Sequence, residues 1–301
     1  MPLPATAPES PLLLGCWRLH LRSAGDIEHL LAAALENGIS QFDHADIYGN
    51  GESERLFAKA ARALGIARET LHLQSKCGIR DGFYDSSKQH LLTAVDGILQ
   101  RLGTDYLDTL LIHRPDALMQ PEEIAEAFDA LYSAGKVRRF GVSNFRSLAL
   151  QRLQNASAQK LAINQLQFGL AHSAMVDSGL NANTGFNGAL DRDGEILDFC
   201  QLNSVRIQAW SPLQFGFFEG NFLGHAQYPD LNHTLNNMAQ IYGTQAGAVA
   251  IAWILRHPAN MHVVLGTTNA QRLQALSQAT NIALSREHWY ELYRAAGNRL
   301  P

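Results

Sequence analysis

Short apolar, β-prone runs alternate along this chain with longer stretches whose apolar positions recur at helical spacing. Eight runs read as strands: LLLGCW (12–17), ISQFDH (39–44), LHLQSK (71–76), LDTLLIH (107–113), VRRFGVS (137–143), LAINQLQF (161–168), VRIQAWS (205–211) and MHVVLGT (261–267). Between the first two, Ile27, Leu30, Leu31, Ala34 and Leu35 form one helical stripe that stops at Gly38. After the third, Leu91, Leu92, Val95, Ile98, Leu99 and Leu102 do the same and stop at Gly103. Pro121 opens a further helix, with Glu122 and Glu123 in the first turn, where carboxylates suit the dipole.

Strand and helix in strict alternation predict parallel βαβ units, and eight of them can close into a single (β/α)8 TIM barrel. An open doubly wound sheet is the alternative, but that fold often carries GxGxxG after its first strand. Here RLHLRSAGD follows the first run. Two long connections interrupt the rhythm, one near 169–190, rich in Asn, Ser and Gly, and one near 214–233 that holds Phe215, Phe217, Phe218 and Phe222. Long loops in compact domains tend to carry function. No composition break divides the chain, so 11–301 reads as one domain and MPLPATAPES (1–10) as a flexible tail.

The 301 residues are 46% hydrophobic and 17% charged, with a net charge of −4, which suits a globular enzyme and not a disordered chain. No basic stripe points to nucleic acid, and no apolar stretch is long enough for a membrane span. Cys16, Cys77 and Cys200 are odd in number and far apart, so they suggest neither a disulfide framework nor a zinc site. A cytoplasmic protein acting on small molecules is the expectation; the oligomeric state is not legible.

Catalytic groups of βα barrels stand at the C-terminal ends of the strands. The second, third and fourth runs end in ionisable residues: Asp43 with Tyr48 shortly after, Lys76, and His113. The later runs carry neutral ones: Ser143 and Asn144, Gln165, Trp210 and Ser211, then Gly266, Thr267 and Thr268. Each has a bland reading alone: a snorkelling lysine, a packed histidine, a capping aspartate. Together they place a charged set beside a neutral polar cradle, as a reaction centre next to a nucleotide requires. A metal site fits poorly, because Asp43 and His44 are strand neighbours that point to opposite faces and Lys76 would repel a cation.

The segment 42–64 (FDHADIYGNGE onward), with LQSKCG, LLIHRPD, GKVRRFGVSNF and QAWSPL in order, resembles the aldo-keto reductase superfamily over nearly the whole chain. The long loop after the seventh strand and the GTTNAQR end are similar to the bacterial branch related to potassium-channel β-subunits. The resemblance implies a catalytic tetrad of Asp43, Tyr48, Lys76 and His113 that reduces aldehydes or ketones to alcohols. Tyr48 would protonate the alkoxide left by hydride addition, and the Lys76 ammonium would lower its ordinary pKa of about 10. Asp43 would keep Lys76 charged, and His113 would donate to the carbonyl oxygen.

The resemblance also implies a nicotinamide cofactor. Its carboxamide would meet Ser143, Asn144 and Gln165, its ring Trp210, and its diphosphate Ser211, Pro212 and Leu213, with Gly266, Thr267, Thr268 and Arg272 beyond. Many relatives carry Lys where Gly266 stands and Glu-Asn where Ala275 and Leu276 stand. Arg272 remains to pair with a 2′-phosphate, so NADPH is expected over NADH. Trp17, Phe83, Tyr84 and Arg114 are the expected walls of the carbonyl pocket. Two other readings stay open: a nucleotide-binding redox sensor or regulatory subunit with little turnover, and a lyase or isomerase with a Schiff base on Lys76.

Overall fold

A computed structural model describes residues 10–301; the expected tail falls almost wholly outside them. The eight expected strands form a closed, all-parallel barrel: β1 (Leu12–Gly15), β2 (Gln41–Asp43), β3 (His72–Cys77), β4 (Thr109–Ile112), β5 (Phe140–Ser143), β6 (Leu161–Gln167), β7 (Arg206–Trp210) and β10 (His262–Leu265). β1 closes the ring by pairing with both β2 and β10. Most strands are one to three residues shorter than their apolar runs, because the ladder ends where the chain turns towards a helix; β3 instead runs one residue past its expected end, to Cys77. At Gly141 the neighbouring strand comes so close that a Cβ would stand 2.6 Å from the Ile163 carbonyl.

The outer helices follow the stripes. α1 (Ala24–Glu36) starts on Ser23, whose side chain accepts from the Asp26 amide, and buries Ile27, Leu30, Leu31 and Ala34. α3 (Lys88–Leu102) starts on Ser87 and ends on Gly103, whose φ of 64° is the left-handed C-cap. α2 (Glu52–Ala63), α4 (Pro121–Ser133) and α5 (Ser147–Ala156) continue the ring. α9 (Ala246–Leu255) is buried almost all round, as its sequence AGAVAIAWIL requires. It is held against α11 (Arg286–Ala295) by Trp253 and Trp289, which stack at 4.8 Å and donate their indole hydrogens to each other's carbonyls.

The two long connections carry more order than their composition suggests. The first holds α6 (Ala174–Leu180) and leads to α7 (Ile196–Leu202). The second holds an antiparallel hairpin, β8 (Gln214–Phe215) with β9 (Gly220–Asn221), before α8 (Pro229–Ile241). α10 (Ala270–Ser277) follows β10 and is capped by Asn269. Among the described residues no single helix is long and apolar enough to cross a membrane.

Candidate active site

The C-terminal ends of β2, β3 and β4 bring the charged set together. Lys76 is 1% exposed, and each of its three ammonium hydrogens has a partner: Asp43 Oδ2 at 2.7 Å, the His44 carbonyl at 2.9 Å and Tyr48 Oη at 3.1 Å. Tyr48 reaches this position because the chain after it reverses through Gly49, Asn50 and Gly51, all at positive φ. A Cβ at Gly49 would stand 2.5 Å from the His20 ring. His113, one residue past β4, lies edge-on to Tyr48 with ring centres 6.0 Å apart. The adjacent His44 faces the other way and packs on Phe57.

Burial sets the protonation states. It works against the Lys76 ammonium, but the Asp43 charge, Tyr48 and the hydrogen bonds to both hold its pKa above the ordinary lysine value. Burial also dominates at Tyr48, with the Asp43 charge acting in the same direction. The phenol therefore lies above its usual pKa although Lys76 pulls it down. This corrects the expectation that Lys76 would prevail: in the folded chain desolvation outweighs the ammonium, and Tyr48 keeps its proton through the neutral range. Burial, with the Lys76 and Arg114 charges, depresses His113 well below the usual histidine value, so its imidazole is neutral. Its Nδ1 has no hydrogen-bond partner among the described residues.

Above this floor opens a cleft of about 490 Å³ that runs from Tyr48 and His113 to Arg272. Ser143, Asn144, Gln165, Trp210, Ser211, Pro212, Leu213, Gly266, Thr267 and Arg272 all line it. Asn144 donates to Ser143 Oγ and accepts from the Trp210 indole, which fixes both side chains. Gln165 directs its amide nitrogen at Asp43 Oδ1 and at Gln208. Thr268 is the exception and does not line the cleft: Thr267, buried beside it, takes the inward position.

Of the four expected pocket walls, Trp17, Tyr84 and Arg114 line the cleft and Phe83 does not. Residues 79–84 form a tight turn in which Tyr84 pairs with Ile79 and the Arg80 amide donates to the Phe83 carbonyl. Neighbours on an extended segment point to opposite sides, so Tyr84 turns inward and Phe83 turns out against Arg80. The loop after β7, expected from its length and phenylalanines to carry function but not assigned to the pocket, adds two walls. Phe218 lies 5.1 Å from Trp17 and stacks on Trp210 at 5.6 Å, and Phe217 covers Arg114.

Arg18 is a further cleft residue that its sequence neighbourhood does not mark. Its Nη2 donates to the Gly266 carbonyl at 2.5 Å and lies 3.7 Å from where a Cβ of residue 266 would stand. A guanidinium from the β1 loop thus lies against the end of β10, beside the position at which the sequence resemblance led to the expectation of a lysine. Its one signal in the sequence is its position beside Trp17.

Comparison with known proteins accords with this geometry. The aldo/keto reductase family model matches residues 11–296. A 6-dehydroglucose reductase of Agrobacterium fabrum is 35% identical over 300 residues, covering 95% of this chain and 94% of its own. A putative voltage-gated potassium channel subunit beta of Schizosaccharomyces pombe is 25% identical and covers 88% of this chain and 82% of its own. The crystal structure of an aldo-keto reductase from Klebsiella pneumoniae in complex with NADPH superposes with a TM-score of 0.76 at 26% identity, over 96% of this chain and 92% of that one. With a closed barrel of eight parallel strands and a match over nearly its full length, the chain belongs to the aldo/keto reductase family, among its oxidoreductases.

Proposed function

We propose that this protein reduces aldehydes or ketones to alcohols with NADPH, Tyr48 acting as general acid. The observation that carries the reading is the buried chain Asp43–Lys76–Tyr48, with contacts of 2.7 and 3.1 Å, at the floor of a cleft large enough for a dinucleotide's reactive end. The residues fit the cofactor. Gln165 Oε1 accepts no hydrogen bond among the described residues and lies on the cleft wall, so it can accept from a carboxamide NH2. Arg18 and Arg272 are the cations at the far end; among the described residues Asp43, at the floor and already paired with Lys76, is the one carboxylate of the lining.

When bound, the cofactor supplies the hydride. The protein's own part is proton delivery and charge placement. Tyr48, still protonated at neutral pH, gives its proton to the carbonyl oxygen as negative charge builds there. Lys76 then stabilises the phenolate left behind, a preorganised cation whose three hydrogens are already committed. Neutral His113 donates to the same oxygen and fixes its angle. In the reverse direction the phenolate accepts the alcohol proton.

Arg18 and Arg272 favour the cofactor with the additional 2′-phosphate, hence NADPH over NADH. Trp17, Tyr84, Phe217 and Phe218 make an aromatic entrance, and Arg114 offers N–H donors to a hydroxylated or acidic carbonyl compound. The test is a carbonyl panel, including an aldehyde sugar, assayed with NADPH and NADH in parallel by loss of reduced-cofactor absorbance. Turnover with NADPH above NADH supports the reading. Tight NADPH binding with no turnover across the panel would replace it with the sensor reading, and borohydride trapping of a substrate on Lys76 with the Schiff-base one.

A further inference from the structure

We propose that Gln74 and Gln208 are positioning residues that, with Gln165, lock the orientation of both the Asp43 carboxylate and the cleft-facing amide through a closed ring of buried hydrogen bonds. Gln74 Nε2 donates one hydrogen to Asp43 Oδ1 at 2.6 Å and the other to Gln208 Oε1 at 2.8 Å. Gln165 Nε2 makes the same two bonds, at 2.9 and 3.0 Å. Gln208 Nε2 returns a bond to Gln74 Oε1 at 3.1 Å. The four side chains come from β3, β6, β7 and β2, so the ring spans the barrel lumen, and each is between 0% and 3% exposed.

The bonding pattern has one consequence for each end of the site. Both hydrogens of the Gln165 amide are committed to acceptors. Flipping that amide would set its carbonyl against two oxygens, losing two buried bonds and adding lone-pair repulsion. Gln165 therefore presents only its oxygen to the cleft, an acceptor for an N–H donor. At the other end, Asp43 Oδ1 is filled by two amide donors, which leaves Oδ2 to Lys76. Gln208 is not on the wall of this cleft; it borders a separate cavity at the opposite mouth of the barrel. It reaches the site only through its neighbours.

This inference rests on the nicotinamide reading of the cleft, and its test separates the two. NADPH affinity is measured by fluorescence titration, alongside thermal melting, for the wild type, Gln208→Met and Gln208→Glu. Gln208→Met keeps the shape but removes acceptor and donor, which leaves the Gln165 amide held by Asp43 alone. NADPH binding should weaken about tenfold, the scale of one lost hydrogen bond, and kcat should fall with it. Gln208→Glu behaves as a titratable substitute. Protonated, it both accepts and donates as glutamine does; ionised, it loses the donor and sets a second charge beside Asp43.

The charged and titratable groups around position 208 are Asp43 with Lys76 beyond it, His262 on β10, and Arg139, Lys160 and Arg206 at the lower cavity. Relative to wild type at the same pH, Gln208→Glu should bind NADPH normally at about pH 5.5 and several-fold more weakly at about pH 8.5. Affinities within twofold of wild type in both variants at both pH values would overturn the proposal. Should Gln208→Met not fold, the pH dependence of Gln208→Glu decides alone. A wild-type protein that does not bind NADPH would instead remove the cofactor reading, and the ring's role with it.

Discussion

The floor of the cleft and its rim are built by opposite means. Asp43, Gln74, Lys76 and Gln165 stand on barrel strands and are at most 3% exposed, the last three all donating to the Asp43 carboxylate. Trp17, Tyr84, Phe217 and Phe218 stand on loops and are 42–64% exposed; ring contacts hold Trp17, Phe217 and Phe218, and a backbone bridge to Ile79 holds Tyr84. Strands linked by a closed hydrogen-bond ladder fix groups to the precision that proton transfer needs, whereas loops can vary with the substrate. Damage to the floor should therefore fall on the rate and on stability, and damage to the rim on substrate affinity.

The sharpest contrast is Tyr48→Phe, which removes only the hydroxyl at the junction of the two regions. It should lower kcat about a thousandfold while the NADPH dissociation constant stays near wild type, because general acid catalysis acts in the transition state. Unchanged turnover would exclude Tyr48 as the acid. Lys76→Met comes next. It leaves the Asp43 carboxylate without its cation in a buried site, so a denaturant titration should show about 3 kcal/mol of lost stability, together with an altered pH–rate profile.

His44, buried behind the floor with its ring nitrogens unpartnered among the described residues, has its pKa pushed down to about 3 by burial and the Lys76 charge. Between that value and the ordinary histidine pKa the unfolded chain binds the extra proton. His44 therefore contributes full stability above about pH 6.5 and loses it on acidification. Asp46 has the opposite sign: burial and Glu54 push it up to about 7, so its folded-state proton favours the native chain as pH falls below that value. The difference between the stability curves of wild type and His44→Leu isolates the histidine. It should change by about 2 kcal/mol between pH 7 and pH 5, and a flat difference would show that His44 is not held neutral.

Smaller effects belong to the cofactor end and the rim. Arg18→Met should weaken NADPH binding about tenfold, as loss of one charged phosphate contact would, and Arg272→Ala should narrow the margin over NADH. Equal affinities for both cofactors in wild type and variants would remove the phosphate role of both arginines. Phe218→Ala should raise KM only a few-fold and leave kcat nearly unchanged, since one rim ring contributes uniform binding. A large fall in kcat there would mean that the loop after β7 takes part in chemistry.

Much of this protein is legible from its residues alone. Periodicities of two and of 3.6 are local properties, so residue order suffices to place the eight strands, the helices α1, α3 and α4, and the strand ends that hold Asp43, Lys76 and His113. The family motifs around Tyr48 and Ser143 are local as well. What only the tertiary structure decided depends on distances across the barrel or on sums of opposing terms. Arg18 meets Gly266 across 248 positions of sequence, and Gln74 meets Gln208 across 134; nothing in either neighbourhood announces the partner. Tyr84 rather than Phe83 faces the cleft because of one tight turn. The sign of the Tyr48 shift follows from how completely the folded chain strips water from the phenol, which outweighs the nearby ammonium and which residue order cannot measure.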